Sequence, residues 1–211
     1  MQIVLVHGLW NRAWSMASLA KRLRLRGHIV SVFSYPTRGN DISGHADCLH
    51  EYLQDNITGE FSMAGHSLGG LVILNMLNRH SDVYERESSV QRVVLMGSPV
   101  QGSSLVRRLA KVPGQKLLFG RVRGALLYGY QQKPDGCEIG MIRGTRSFGL
   151  GRVAGKHAET NDGSVLVSET RMKGLKDKIE LRVAHSEMLI SSAVADQAEY
   201  FIRHGRFNSE P

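Results

Sequence analysis

Four short apolar runs constrain this chain more than any other feature. They are Ile3-Val4-Leu5-Val6, Ile29-Val30-Ser31-Val32-Phe33, Phe61-Ser62-Met63-Ala64 and Val90 to Met96. A strand with one wet face alternates apolar and polar residues, whereas a continuous run belongs to a strand covered on both faces. The stretches between the runs read as helices. Trp14 to Arg26 sets Trp14, Leu19, Leu23 and Leu25 among Lys21, Arg22, Arg24 and Arg26, and Gly27 reads as its C-cap. Asp41 to Gln54 carries Ala46, Leu49 and Leu53 on one side, and Leu71 to Asn78 is an apolar helix. Strands alternating with helices in this way predict an α/β fold around a mostly parallel sheet. Glu138 to Thr145 and Lys178 to Ala184 read as fifth and sixth strands, and Glu187 to His204 as a closing helix.

The length of 211 residues fits one domain, read as residues 1–211, with a core large enough to need no disulfide staples. The two cysteines, Cys48 and Cys137, exclude a disulfide framework and a four-thiolate zinc site. The plainer reading is two reduced thiols in a cytoplasmic protein, with a single disulfide left open. No apolar run approaches the roughly 18 residues of a membrane span, and Met1 to Val6 lacks the basic start and small-residue cleavage site of a secretory signal. Basic residues outnumber acidic ones 27 to 19, a formal charge of +8. The basic clusters at 21–26, 107–123, 143–156 and 171–178 form no nucleic-acid motif with aromatic interleaving, so nucleic acid is not the expected partner. A solvated basic surface is the first reading, and weak contact with an anionic membrane surface the second.

The chemistry concentrates in Gly65-His66-Ser67-Leu68-Gly69-Gly70, set between the third strand and an apolar helix. A serine on such a turn sits in a strained backbone conformation that lifts its hydroxyl above the sheet. Small neighbours let the backbone pass close by, and the following helix N-terminus offers free N–H groups to an oxyanion. The competing reading is a glycine-rich turn that binds nothing. His7-Gly8-Leu9-Trp10 follows the first strand, and Gly97-Ser98-Pro99-Val100-Gln101-Gly102-Ser103 the fourth.

Together these three motifs resemble the lipase/esterase branch of the α/β-hydrolase superfamily, most closely its small bacterial lipase-like hydrolases and the deacylases that act on lipid anchors. Many members carry Pro-His-x-Gly-Ser where this chain has Pro99-Val100-Gln101-Gly102-Ser103. The resemblance implies a compact α/β-hydrolase fold of about six strands with helices on both faces. It also implies a catalytic triad in the order serine, acid, histidine. Ser67 is then the nucleophile, and the backbone N–H groups of Leu9 and Leu68 form the oxyanion hole. The His7 side chain is read as an anchor for its loop. Of the three histidines well beyond the serine motif, His157 precedes the acid candidate and His204 ends the last helix, so His185 is the expected base. Asp162, in Asn161-Asp162-Gly163-Ser164-Val165, is the expected acid, against Asp135, Glu169 and Asp177, the last read as a solvated charge beside Lys176 and Lys178; a plain Asp-Gly turn is the competing reading.

The resemblance implies a serine hydrolase that cleaves a carboxylic ester, with a small-molecule acyl ester or lipid as substrate and no metal or other cofactor. The alternatives are an acyl thioesterase, an acyltransferase and a non-catalytic binding protein of the same fold. Residues 103–137 would supply a short lid or pocket wall, in which Leu117, Leu118, Phe119, Leu126, Leu127 and Tyr128 meet an acyl chain. An ordinary helix packed on the sheet explains the spacing equally well. Trp10, Leu118 and Phe119 are the expected substrate contacts.

Overall fold

The computed structural model describes residues 1–87, 89–148 and 159–209. Its six strands are β1 (Gln2–Val6), β2 (Ile29–Phe33), β3 (Phe61–His66), β4 (Val90–Met96), β5 (Glu138–Gly144) and β6 (Asp177–Leu181). They form one sheet in the order β2-β1-β3-β4-β5-β6, and every neighbouring pair is parallel. The helices are α1 (Ala17–Leu25), α2 (Ile42–Asn56), α3 (Leu68–Arg79), α4 (Ser81–Glu87), α5 (Ser104–Leu109), α6 (Gln115–Phe119), α7 (Arg123–Tyr128) and α8 (Ser192–His204).

Successive strand residues point to opposite faces, and each face has its own core. Val4, Val6, Met63, Val93 and Leu95 pack with α2, α3 and the short helices, including Phe119, Val122 and Leu126. Ile3, Leu5, Ala64, Val94 and Met96 pack on the other side with α1 and α8, where Phe201 is fully buried. The runs of β1, β3 and β4 thus have the two-sided cover they predict, whereas β2 lies at the sheet edge and leaves Ile29 67% exposed. The central helix α3 is buried from Leu68 through Leu77. It crosses the sheet so closely that a Cβ at Gly69 would collide with the carbonyl oxygens of Val6 and His7. Only glycine allows that approach.

Several boundaries differ from expectation. The sixth strand ends at Leu181 because Val183 N–H turns back to Leu181 O at 2.8 Å, and Ala184 N–H donates to the Glu187 carboxylate at 2.8 Å. The chain therefore leaves the sheet just before His185. The closing helix is broken: Ser186–Leu189 forms a 3-10 turn, and α8 starts afresh at Ser192 with the Ser191 hydroxyl accepting from Val194 N–H at 3.3 Å. The first helix likewise opens with a 3-10 turn at Ala13–Met16. Cys48 and Cys137 are both free thiols. No described helix is long and apolar enough to cross a membrane.

Candidate active site

Parallel sheets present their functional loops at the carboxyl ends of the strands. Four such loops converge here, after β1, β3, β4 and β6. They are joined by the segment around Asp162 that follows β5.

The loop after β3 is a single residue. Ser67 has φ 54° and ψ −119°, a conformation that costs a non-glycine residue on the order of 1–3 kcal/mol. Its amide is fixed by donation to Met96 O at 2.9 Å, so the register between β3 and β4 sets its position. Leu68 opens α3, and its N–H has no acceptor one turn back. The loop after β1 lies against this turn: a Cβ on Gly8 would stand 3.1 Å from the Ser67 Cβ. Among the described residues, Leu9 N–H makes no turn or loop hydrogen bond to the backbone. Trp10 is the only other described non-glycine residue with positive φ, at 60°. Both strained side-chain-bearing residues thus flank one place.

His7 anchors its loop, as expected for its side chain. Its Nδ1–H donates to Gly8 O at 3.1 Å, and its Nε2 accepts from Tyr35 N–H at 3.3 Å. The Tyr35 hydroxyl donates to His7 O at 2.9 Å, and the two rings stack at 4.6 Å. Burial holds the His7 imidazole below its ordinary pKa, which favours the neutral ring that this pairing requires.

His185 and Asp162 meet directly. His185 Nδ1–H donates to Asp162 Oδ2 at 2.7 Å, and the His185 amide donates to Asp162 O at 2.8 Å. The other Asp162 oxygen accepts from Ser164 N–H at 2.9 Å and Val165 N–H at 2.7 Å, so the buried carboxylate is held by three donors. With Nδ1 protonated, His185 Nε2 is left as the basic nitrogen. Gly97, at φ +59°, packs beneath the pair; a Cβ there would lie 3.1 Å from both Asp162 Oδ2 and His185 Nδ1.

The rival acids sit elsewhere. Asp135 is exposed. Asp177 is not a solvated charge among lysines: it is half-buried and accepts from Phe207 N–H at 2.7 Å, which ties down the chain after α8. Glu169 is buried and accepts from Leu166 N–H at 2.9 Å and from the Ser104 amide, joining the Asp162 segment to α5. His157 and part of the 143–156 basic cluster lie outside the described residues.

His66 is a site residue that motif reading passes over. Its Nε2–H donates to His185 O at 2.9 Å, while its Nδ1 is buried without a hydrogen-bond partner. Burial, with the charge of neighbouring His185 as the second cause, pushes its pKa down to about 3. The imidazole stays neutral at ordinary pH and serves as a fixed donor to the loop that carries His185. The variable position of G-x-S-x-G gives no hint of this contact, which spans 119 residues.

Ser67 and His185 line a common cavity of about 310 Å³. Its walls are mainly apolar: Leu9, Trp10, Leu105, Val106, Leu109, Phe119, Leu126, Phe148, Val165 and Leu189. Of the expected substrate contacts, Trp10 and Phe119 line it and Leu118 does not. Leu118 is 42% exposed, and its carbonyl accepts from Trp10 Nε1–H at 2.7 Å. Leu126 also lines the cavity, whereas Leu117 and Tyr128 are exposed on the outside and Leu127 stands apart from it.

Solved structures share this arrangement of strands and helices. The mature lipase BlEst2 of Bacillus licheniformis is 18% identical with a TM-score of 0.69, covering 96% of this chain and 90% of that one. The phospholipase PlaB of Legionella pneumophila is 13% identical with a TM-score of 0.71, covering 96% of this chain and 59% of that one. The metagenomic carboxyl esterase MGS0156 is 18% identical with a TM-score of 0.66, covering 88% of this chain and 64% of that one. The chain thus spans less than two thirds of the last two, and at these identities the likeness is one of fold. No curated protein matches the chain. A family model described as "Alpha/beta hydrolase family" matches residues 3–167, well over half of the sequence, and the chain belongs to that family.

Proposed function

We propose that this α/β hydrolase is a serine hydrolase of carboxylic esters, with Ser67 as nucleophile, His185 as general base and Asp162 as its orienting acid. The observation that carries the reading is the 2.7 Å His185–Asp162 contact at the edge of a cavity that Ser67 also lines. His185 Nε2 takes the Ser67 proton as the hydroxyl attacks the acyl carbonyl. Asp162 keeps the imidazole in the required tautomer and stabilises the imidazolium. The Leu9 and Leu68 amides hold the oxyanion, each donor worth about 3 kcal/mol in comparable sites. The imidazolium then protonates the leaving alcohol, and a water activated by His185 releases the acid.

The apolar walls suit an acyl chain. Leu105, Val106, Leu109, Phe119 and Leu126 come from the 103–137 segment, which supports reading it as a pocket wall. The names of the structural neighbours, a lipase, a phospholipase and a carboxyl esterase, agree with an ester substrate. His66 is a positioning residue, holding the backbone of the base.

The test is hydrolysis of p-nitrophenyl butyrate and labelling by a fluorophosphonate. Wild-type protein should hydrolyse the ester and take the label on Ser67; Ser67→Ala should do neither. Equal hydrolysis by the variant would overturn the assignment. Absence of both Ser67 labelling and turnover on ester, thioester and amide substrates in the wild-type protein would make it a non-catalytic relative.

A further inference from the structure

A second depression opens on the other side of Trp10. It has a volume of about 820 Å³ and lies between the loop after β1, the loop after β2 and the α6 region. Trp10 and Asn11 line both this groove and the acyl cavity, so the two are neighbours across one indole.

The groove has the chemistry of an anion site. Arg12 and Arg38 line it, and none of its lining residues is acidic. The nearest carboxylate along the chain, Asp41, is engaged in capping α2 through Gly44 N–H at 2.9 Å. Arg38 spends one Nη1–H on Leu117 O at 2.8 Å, which aims the guanidinium and leaves the rest of its fork for a ligand. Arg12 is exposed, and none of its donors takes part in a side-chain hydrogen bond or ion pair among the described residues. Two hydroxyls complete the set. Thr37 Oγ1 accepts from Trp10 N–H at 3.2 Å, and Ser34 Oγ from Ala13 N–H at 3.4 Å. Each oxygen is thereby committed as an acceptor, and its O–H remains to donate. Arginine forks with hydroxyl donors match the oxygens of phosphate and carboxylate.

We propose that this groove binds an anionic group, a phosphate or carboxylate, on the alcohol portion of the ester whose acyl chain fills the neighbouring cavity. The inference rests on the ester-hydrolase reading. Trp10 is then the partition between the two halves of the substrate. Its left-handed backbone, held by Thr37, and its indole, held by Leu118 O, are what place it there.

The experiment compares the butyryl esters of glycerol and of glycerol 3-phosphate. Wild-type protein should show a higher kcat/KM on the phosphate ester, with a preference that shrinks as salt is raised. Arg12→Glu and Arg38→Gln should each lower the ratio of the two kcat/KM values about tenfold, one charge-assisted contact apiece, and Arg12→Lys should restore part of it. A ratio at or below one in wild type, or one that neither substitution moves, overturns the proposal when hydrolysis of anionic vesicles is equally indifferent to the two substitutions. Vesicles containing phosphatidylglycerol form a second arm. Groove-dependent hydrolysis there but not of the soluble ester identifies a lipid headgroup, and the reverse a soluble phosphate. Calorimetry of glycerol 3-phosphate with Ser67→Ala protein, with and without Arg12→Glu, needs no turnover. It tests the groove even if neither ester is hydrolysed, in which case the ester reading fails by itself.

Discussion

Replacing His66 with glutamine should make the fold less sensitive to mild acid. The folded protein holds this imidazole at a pKa of about 3, against an ordinary value of 6.5, chiefly because it is buried. Between those values the unfolded chain binds a proton that the folded chain refuses. Stability therefore falls as pH drops below 6.5 and goes on falling to about 3. Each unit costs about 1.4 kcal/mol, so at pH 5 His66 alone withdraws about 2 kcal/mol, a large share of a domain's usual 5–15 kcal/mol. His7, His45 and His50 are also depressed, with burial the leading cause for each, and act in the same direction. The comparison must therefore be a difference of differences. Urea unfolding at pH 8 and pH 5 should show His66→Gln losing about 2 kcal/mol less than wild type between the two. Glutamine can still offer an N–H to the His185 carbonyl, so the variant retains the contact while losing the titration. If both proteins lose the same stability, His66 is not held neutral as argued.

Three further outcomes follow from the site. Asp162→Asn should lower kcat for p-nitrophenyl butyrate by about 10⁴, because the amide can present an N–H to Nδ1 and favour the wrong tautomer; a loss under tenfold would remove Asp162 from the triad. Gly97→Ala should both lower the melting temperature and cost at least roughly tenfold in kcat, since its left-handed backbone disfavours alanine and the added methyl meets the His185–Asp162 pair; unchanged kcat would show that the pair tolerates displacement. Leu109→Trp should shift the preferred acyl length downward by filling the cavity, while Leu118→Asp leaves the chain-length profile where it was; a shift in the second alone would invert the placement of the pocket wall.

The buried strands were legible because a strand covered on both faces has only one composition, and Ile3 to Val6 or Phe61 to Ala64 could be little else. The strained turn at Ser67 was legible because such a turn needs small residues at fixed offsets. The region after β4 was not. Its helices α5, α6 and α7 span six, five and six residues, under two turns each, too short for an amphipathic period to declare itself. Leu117, Leu118 and Phe119 read alike as apolar residues that could meet an acyl chain, and the fold separates them: Phe119 turns inward, Leu117 turns outward, and Leu118 serves through its carbonyl. Asp177 misled for a related reason, since its two lysine neighbours along the chain say nothing of Phe207 N–H arriving from beyond α8. The groove beside Trp10 was invisible because Arg12 and Arg38 belong to different loops.

Strain at the site is sustained by register. Ser67 N–H is held by Met96 O and Gly97 N–H by Ile142 O, each at 2.9 Å, so the ends of β3, β4 and β5 fix the turn bearing Ser67 and the glycine beneath His185. Adjacent residues of β3 and its turn then do two jobs. Ser67 presents the hydroxyl, and His66 reaches across to the backbone of the loop bearing His185. A one-residue slip of β3 would swap its two faces, setting every side chain against the wrong core. The apolar residues of β3, which feed both cores, oppose that slip with the full weight of the sheet's packing. An unfavourable φ at Ser67 or Trp10 costs only a few kcal/mol against that resistance. The proposed site therefore stands assembled in the fold itself, and a substrate would need only to be oriented in it.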